Sequence, residues 1–253
     1  ERCKHCTANH TKANIINTEN INLWWPDTPK PGNFGDILSP LILKKLGATI
    51  TKVDRNSSGK FMCIGSTSKF IKPNDTIWGT GIMRDSDPIE KNAKYLAVRG
   101  PLTGDKVNCD IYGDPGLLCS YFWPMKSLET KPLGIIPHYV DYKKHDVGGN
   151  DQINLLNANP IKVMEEVVKY KSIVSSSLHG IIVAHSYGIP AGWWKPSDKL
   201  DGDGSKFEDY ARSVDIELEP SNNYRDVIMT LPSQEKIKQI QENLLNAITG
   251  TLR

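Results

Sequence analysis

Six consecutive residues, Ser175-Ser176-Ser177-Leu178-His179-Gly180, stand where a short buried strand pattern (Ser172-Ile173-Val174) gives way to an apolar helical one. The first amides of a helix have no partner within it and carry positive partial charge, so this junction suits a phosphate or a carboxylate. His179 falls in the first turn, placed to donate a proton or to hold a phosphate oxygen. The plainer reading is that the serines cap the helix and the imidazole packs against a neighbour. His185, six residues further along, faces elsewhere and reads as structural.

Other groups recur at strand ends. Gly32-Asn33-Phe34-Gly35-Asp36 offers tight turning, close backbone approach and, in Asp36, either a general base or a turn residue bonded to nearby amides. It is neither a G-x-G-x-x-G fingerprint nor a P-loop with its Lys. Arg99, in Val98-Arg99-Gly100-Pro101, presents a planar fork that matches a carboxylate or phosphate, or else serves a structural ion pair. Asp114 and His138 also fall at predicted strand ends. Asp201-Gly202-Asp203-Gly204 has the form of a D-x-D metal motif but, in a Gly-rich loop, reads as a solvated turn, and no metal or cofactor is expected.

The elements that must position these groups alternate. Predicted strands are Ile21–Trp25, Thr49–Val53, Phe61–Ile64, Thr76–Trp78, Tyr95–Val98, Leu133–Ile136, Ile173–Ser175 and Ala191–Trp194. Between them lie a helix with Ser39 as N-cap, Pro40 at its first position and Gly47 past its end; an amphipathic helix over Ile161–Tyr170; and an apolar one over Leu178–Tyr187. A last helix, Gln234–Ile248, has Ser233 as N-cap, Gly250 past its end and one apolar face at helical spacing. The pattern predicts an α/β fold of two Rossmann-like units with a ligand cleft between them. The aperiodic stretch Ser120–Pro132 divides a unit over 1–125 from one over 126–253. Paired tryptophans at strand ends, Trp24-Trp25 and Trp193-Trp194, read as core rather than sugar platforms.

The 253 residues carry 31 Lys+Arg against 29 Asp+Glu, a formal charge of +2, which excludes a strongly basic nucleic-acid scaffold. The longest apolar run, near Ile181–Ala184, is far short of a membrane span. Cys3-x-x-Cys6 is half of a zinc pattern without a second half, and Cys63 and Cys119 read as small core residues. An odd count of five cysteines and no signal segment favour a cytoplasmic setting. The start at Glu1 rather than Met reads as loss of an upstream segment.

Taken in order, Gly32–Asp36, Ile77-Trp78-Gly79-Thr80-Gly81, Val98–Thr103, Gly113–Leu118, Ile136–Tyr139, Ser176–Gly180 through Tyr187–Pro190, and Lys206-Phe207 with Asp209-Tyr210 resemble the polysaccharide pyruvyltransferases over roughly residues 22 to 212. The resemblance implies a GT-B-like fold and transfer of a pyruvyl group from phosphoenolpyruvate to two sugar hydroxyls, forming a ketal. It implies His179 as acid or phosphate contact, Arg99 as anion clamp, Asp36 as base, and a carbohydrate acceptor. Gly32, Asn33, Gly35, Asp114, His138, Ser175, Ser176, Ser177, Leu178 and Gly180 would line the donor and substrate site. The family often carries Arg where Ser177 stands, and a hydroxyl does not replace a bidentate cation. The remaining cations and helix amides must then suffice, or the donor differs, and a GT-B glycosyltransferase using a UDP- or GDP-sugar is the alternative.

Overall fold

The computed structural model describes residues 20–249, so the Cys3-x-x-Cys6 pair and Gly250 lie outside the described residues. The chain runs β1 (Asn20–Leu23), α1 (Phe34–Lys45), β2 (Thr49–Lys52), β3 (Phe61–Met62), β4 (Thr76–Trp78), β5 (Lys94–Ala97), α2 (Pro101–Val107) and α3 (Cys119–Phe122). It continues with β6 (Lys131–Ile136), α4 (Pro160–Val167), β7 (Tyr170–Ser175), α5 (Leu178–Ser186), β8 (Ala191–Trp193), α6 (Ser205–Ser213) and α7 (Gln234–Thr249). Among the described residues the strands form a five-stranded sheet, β2-β1-β3-β4-β5, and a three-stranded sheet, β6-β7-β8. Every named strand pair is parallel. Parallel pairing requires crossover connections, which is why apolar strand patterns alternate with helices. The carboxyl ends of such strands are where loops gather a site.

One continuous apolar cluster joins the two sheets, running from Leu23 and Ile42 to Ile136, Ile181 and Val183. The last helix, α7, returns to the first sheet. Its Leu244 carbonyl accepts the Trp78 indole N–H at 2.9 Å, and Gln241 Nε2 donates to Leu117 O at 2.7 Å. Ser233 caps α7 as expected, its hydroxyl accepting the Lys236 N–H at 3.1 Å. Cys63, Cys119, Trp193 and Trp194 are buried, as their apolar settings predicted, while Trp24 and Trp25 pack at the core's margin. No described helix is long and apolar enough to cross a membrane.

Two helix boundaries differ from expectation by more than one residue. α1 starts at Phe34 rather than Pro40. Asn33 takes an extended conformation there, Phe34 N–H bonds to Leu155 O at 2.9 Å, and Ile37 N–H closes the first turn on Asn33 O at 3.1 Å. Pro40 therefore sits inside the helix, where its missing N–H deprives only the Asp36 carbonyl of an intrahelical bond. Ser39 is not a cap, and its hydroxyl accepts the Ile64 N–H at 3.1 Å. α4 ends at Val167 because Tyr170 pairs with Lys131 and opens β7. Asn159 caps α4 through the Ile161 N–H at 3.1 Å, which leaves Pro160 at the first helical position.

Candidate active site

Two helix starts converge on one cavity of about 260 Å³. From α1 come Asn33 and Asp36; from α5 come Ser177, Leu178 and His179; His138 follows β6; Lys206 stands in the first turn of α6. Thr28, Thr67, Lys69 and Tyr139 complete much of the wall. Neither Asn33 nor Ser177 makes a side-chain cap bond; the Phe34 N–H of α1 is taken by Leu155 O, whereas the first amides of α5 are left to a ligand or to water.

His179 is held from behind. Its Nε2 lies 3.2 Å from Oδ2 of the fully buried Asp114, whose Oδ1 accepts the Gly116 N–H at 2.8 Å. The carboxylate accepts on both oxygens, so Nε2 of His179 carries the proton. Nδ1 then faces the first turn of α1. A Cβ placed on Gly35 would lie 2.2 Å from it, so only glycine lets α1 and the imidazole approach this closely.

Burial pushes the Asp36 carboxyl up to about 6, against the charges of His179 and Lys206 and a hydrogen bond from Asn33 that hold it down. With its amide given to Asp36, Asn33 keeps a buried Oδ1 that has no partner among the described residues. His138 accepts the Val140 N–H on Nδ1 at 3.4 Å, which leaves any ring proton on Nε2. Burial first, then the nearby Lys206, holds this imidazole down to about 4, so it is neutral near pH 7.

Lys206 is 7% exposed, and burial followed by the Arg99 charge pulls its ammonium down to about 8. Its hydrogen bond to protein among the described residues is a long one, 3.4 Å to Asp201 O, and no carboxylate there pairs with it. Sequence reasoning gave this lysine no role. Its signals were its place in the Lys206-Phe207 piece of the family resemblance and its position just past the Asp201–Gly204 loop, at the head of a helix with Phe207 and Tyr210 inward.

Several predicted contacts lie elsewhere. Arg99 is no open clamp: it is 0% exposed, with Nε 3.2 Å from Asp209 Oδ2, Nη1 donating to Ser66 Oγ at 2.7 Å and Nη2 to Ile82 O. Asp209 is bound further by the N–H and hydroxyl of Thr103 at 3.1 and 2.7 Å. Ser175 Oγ donates within its own junction, to Ile136 O at 2.7 Å, and Ser176 Oγ accepts the His138 N–H at 2.7 Å. Of the three serines, Ser177 lines the cavity. A Cβ on Gly180 would sit 2.3 Å from Ser175 Oγ, so this glycine serves helix–strand packing, and Gly32, at φ +113°, serves the turn before α1. His185 is structural as expected, with Nδ1 2.9 Å from Tyr210 Oη and Nε2 2.9 Å from Thr230 O. Asp203 accepts the Ser205 N–H at 3.0 Å at the head of α6, and Asp201 pairs with Arg84, so the D-G-D-G loop spends its carboxylates on the protein.

The sequence profile of the polysaccharide pyruvyl transferases matches residues 60–193, which takes in Asp114, His138 and the Ser175–Gly180 junction. The chain belongs to the polysaccharide pyruvyl transferase family. Asp36 and Lys206 fall outside the matched span, yet share the cavity with its histidines. An uncharacterized protein of Acanthamoeba polyphaga mimivirus is 31% identical over 221 residues, covering 79% of this chain and 77% of its own length. No solved structure matches. Membership in this family points to a transferase of polysaccharide biosynthesis and to a carbohydrate acceptor.

Proposed function

We propose that the chain transfers the pyruvyl group of phosphoenolpyruvate to two hydroxyls of a sugar in a glycan, giving a cyclic ketal and inorganic phosphate. The observation that carries this reading is the buried Lys206, without a carboxylate partner among the described residues, in one cavity with His179, His138 and the unpaired first amides of α5. That set suits a compact, multiply charged anion. Lys206 supplies the charge that Ser177 does not, and His138, neutral with a proton on Nε2, adds a hydrogen bond without adding charge.

In the first step an acid protonates the enol methylene, leaving an oxocarbenium-like carbon. His179 serves as that acid when doubly protonated, with Asp114 keeping the ring in register. A sugar hydroxyl then attacks, and Asp36, on the cavity wall, takes its proton. Departure of phosphate and attack by the second hydroxyl close the ketal. Each proton taken from a hydroxyl replaces one given to the methylene or the phosphate. The reading uses no metal.

We also read the two sheets as two Rossmann-like units of a GT-B-like arrangement, divided near residue 125, with the cavity at the carboxyl ends of β1 and β7. Thermal shift and phosphate release test the activity. Phosphoenolpyruvate raises the melting temperature and UDP or GDP does not, and phosphate appears only with a glycan acceptor present. Stabilisation by UDP or GDP instead would overturn the reading in favour of glycosyl transfer.

A further inference from the structure

Arg99 reaches the cavity through one intermediary. Of its partners Asp209, Ile82 and Ser66, only Ser66 stands on the cavity wall. Glycine opens the path between them. The guanidinium lies across Gly81, where a Cβ would come within 2.4 Å of Cζ, so no larger residue lets the side chain pass toward the loop after β3. That loop is Gly65-Ser66-Thr67, entered at φ +129° on Gly65, and all three residues line the cavity. It is pinned on both sides to the same glycine: the Gly81 N–H donates to Gly65 O at 3.0 Å, and the Ser68 N–H donates to Gly81 O at 3.3 Å. Ser66 is therefore fixed by its backbone neighbours as well as by the arginine.

The hydroxyl has one function left to give. Nη1 of Arg99 donates to Ser66 Oγ at 2.7 Å. A guanidinium has no acceptor, so the serine's own proton cannot be returned to it. Among the described residues nothing else accepts that proton, and Ser66 is half-buried rather than sealed. A hydroxyl that accepts from a cation becomes a better donor, because each bond in such a chain polarises the next. The other hydroxyls of the wall, on Thr28, Thr67, Tyr139 and Ser177, accept from no cation among the described residues. Phosphoenolpyruvate has two anionic ends. The first amides of α5, with Lys206, suit its phosphate. Its carboxylate needs a donor elsewhere on the wall, and Ser66 follows a strand of the five-stranded sheet whereas α5 follows a strand of the three-stranded one.

We propose that Ser66 is a further substrate-binding residue, donating its hydroxyl proton to the carboxylate of the donor, and that Arg99 acts through it as a positioning residue. The anion clamp is then exerted at one remove. The guanidinium stays buried against Asp209, and the serine carries its polarity to the ligand. A phosphate ester without a carboxylate gains nothing from this contact, so Ser66 selects for an enol phosphate that bears one. The proposal rests on the pyruvyl-transfer reading and names a residue that discriminates its donor.

The test is calorimetric titration of the whole chain with phosphoenolpyruvate and, separately, with inorganic phosphate. Ser66→Ala weakens phosphoenolpyruvate about tenfold and leaves phosphate within about twofold. In turnover KM for the donor rises in step while kcat holds, as when a contact common to ground and transition states is lost. Ser66→Thr, which keeps the hydroxyl, recovers most of the affinity, and matched melting curves show that both variants fold. Arg99→Lys weakens phosphoenolpyruvate as well, and adding Ser66→Ala to it costs little more, because the two residues form one chain of bonds; a merely structural arginine would give independent losses. The Ser66 variants decide the proposal even where Arg99→Lys fails to fold. Phosphoenolpyruvate affinity unchanged in Ser66→Ala, equal weakening of both ligands, no recovery with threonine, or additive losses in the double variant would each overturn it. A wild-type chain that binds UDP or GDP and not phosphoenolpyruvate would instead overturn the pyruvyl reading, and this contact with it.

Discussion

Arg99 and Lys206 are both buried cations, near enough that the arginine's charge depresses the lysine's proton affinity. Their surroundings differ sharply. The guanidinium meets a carboxylate, a hydroxyl and a carbonyl, and its carboxylate is fixed in turn by Thr103. The ammonium meets one distant carbonyl, the Phe207 ring 5.5 Å away and an open cavity, but no carboxylate among the described residues. A buried charge with a full set of partners holds the fold; one left without them is available to a ligand. Arg99 ties the end of β5 to α6, and by fixing Asp209 it also fixes the turn of α6 from which Lys206 reaches the cavity.

The contrast breaks most visibly in Arg99→Met, which strands Asp209 as a buried, unpaired charge. Loss of about 3–5 kcal/mol is expected in chemical denaturation; a variant as stable as the wild type would show that the pair is dispensable. Lys206→Met has the opposite sign. Because the folded chain lowers the affinity of Lys206 for its proton, to about 8 from an unperturbed 10.5, the folded state is penalised for carrying that charge below pH 8. The variant melts higher than wild type at pH 7, and the gap closes as pH rises toward 10. Its kcat/KM for phosphoenolpyruvate falls by about 100-fold or more, as expected when a preorganised charge at the reacting anion is lost.

His179→Ala sharpens the same comparison by removing the acid while leaving the cation in place. Turnover drops about 100-fold, and the thermal response to the donor is weakened less than in Lys206→Met. An unchanged turnover number would remove the catalytic assignment. The smallest effect is the pH profile of kcat/KM. Asp36 must be ionised to act as base, so the rate climbs through about pH 6; His179 must hold its acidic proton and Lys206 its charge, so the rate has fallen by about pH 8. Asp36→Asn should remove the acid limb, and an acid limb left in place would take the base role from Asp36.

Much of this was legible in the sequence because it is written locally. Eight strand patterns marked the eight strands of the described residues, and the strand–serine–helix junction pointed to His179 and Ser177, which line the cavity. What is decided by partners remote in the chain was not. Arg99 could be assigned as a clamp or as an ion pair until Asp209, 110 residues away, was seen beside it. The first helix was misjudged because Ser39-Pro40 carries a strong local start pattern, while the true start is secured by a backbone bond from Phe34 to Leu155. Lys206 followed the same logic in reverse. An amphipathic helix with lysine at its head is ordinary until folding buries that head against His138 and Asp36.

That backbone bond from Phe34 to Leu155, with the bridge pairing Asn33 to Leu156 alongside it, spans the two halves of the chain at the rim of the cavity. It works as a clasp: the halves cannot swing apart like a clamshell without first tearing peptide bonds' own hydrogen bonds at the very residues that start α1. Lys69, Phe70 and Tyr139 stand on the wall of the same cavity, so a ligand of the proposed kind would enter past them with the clasp still closed.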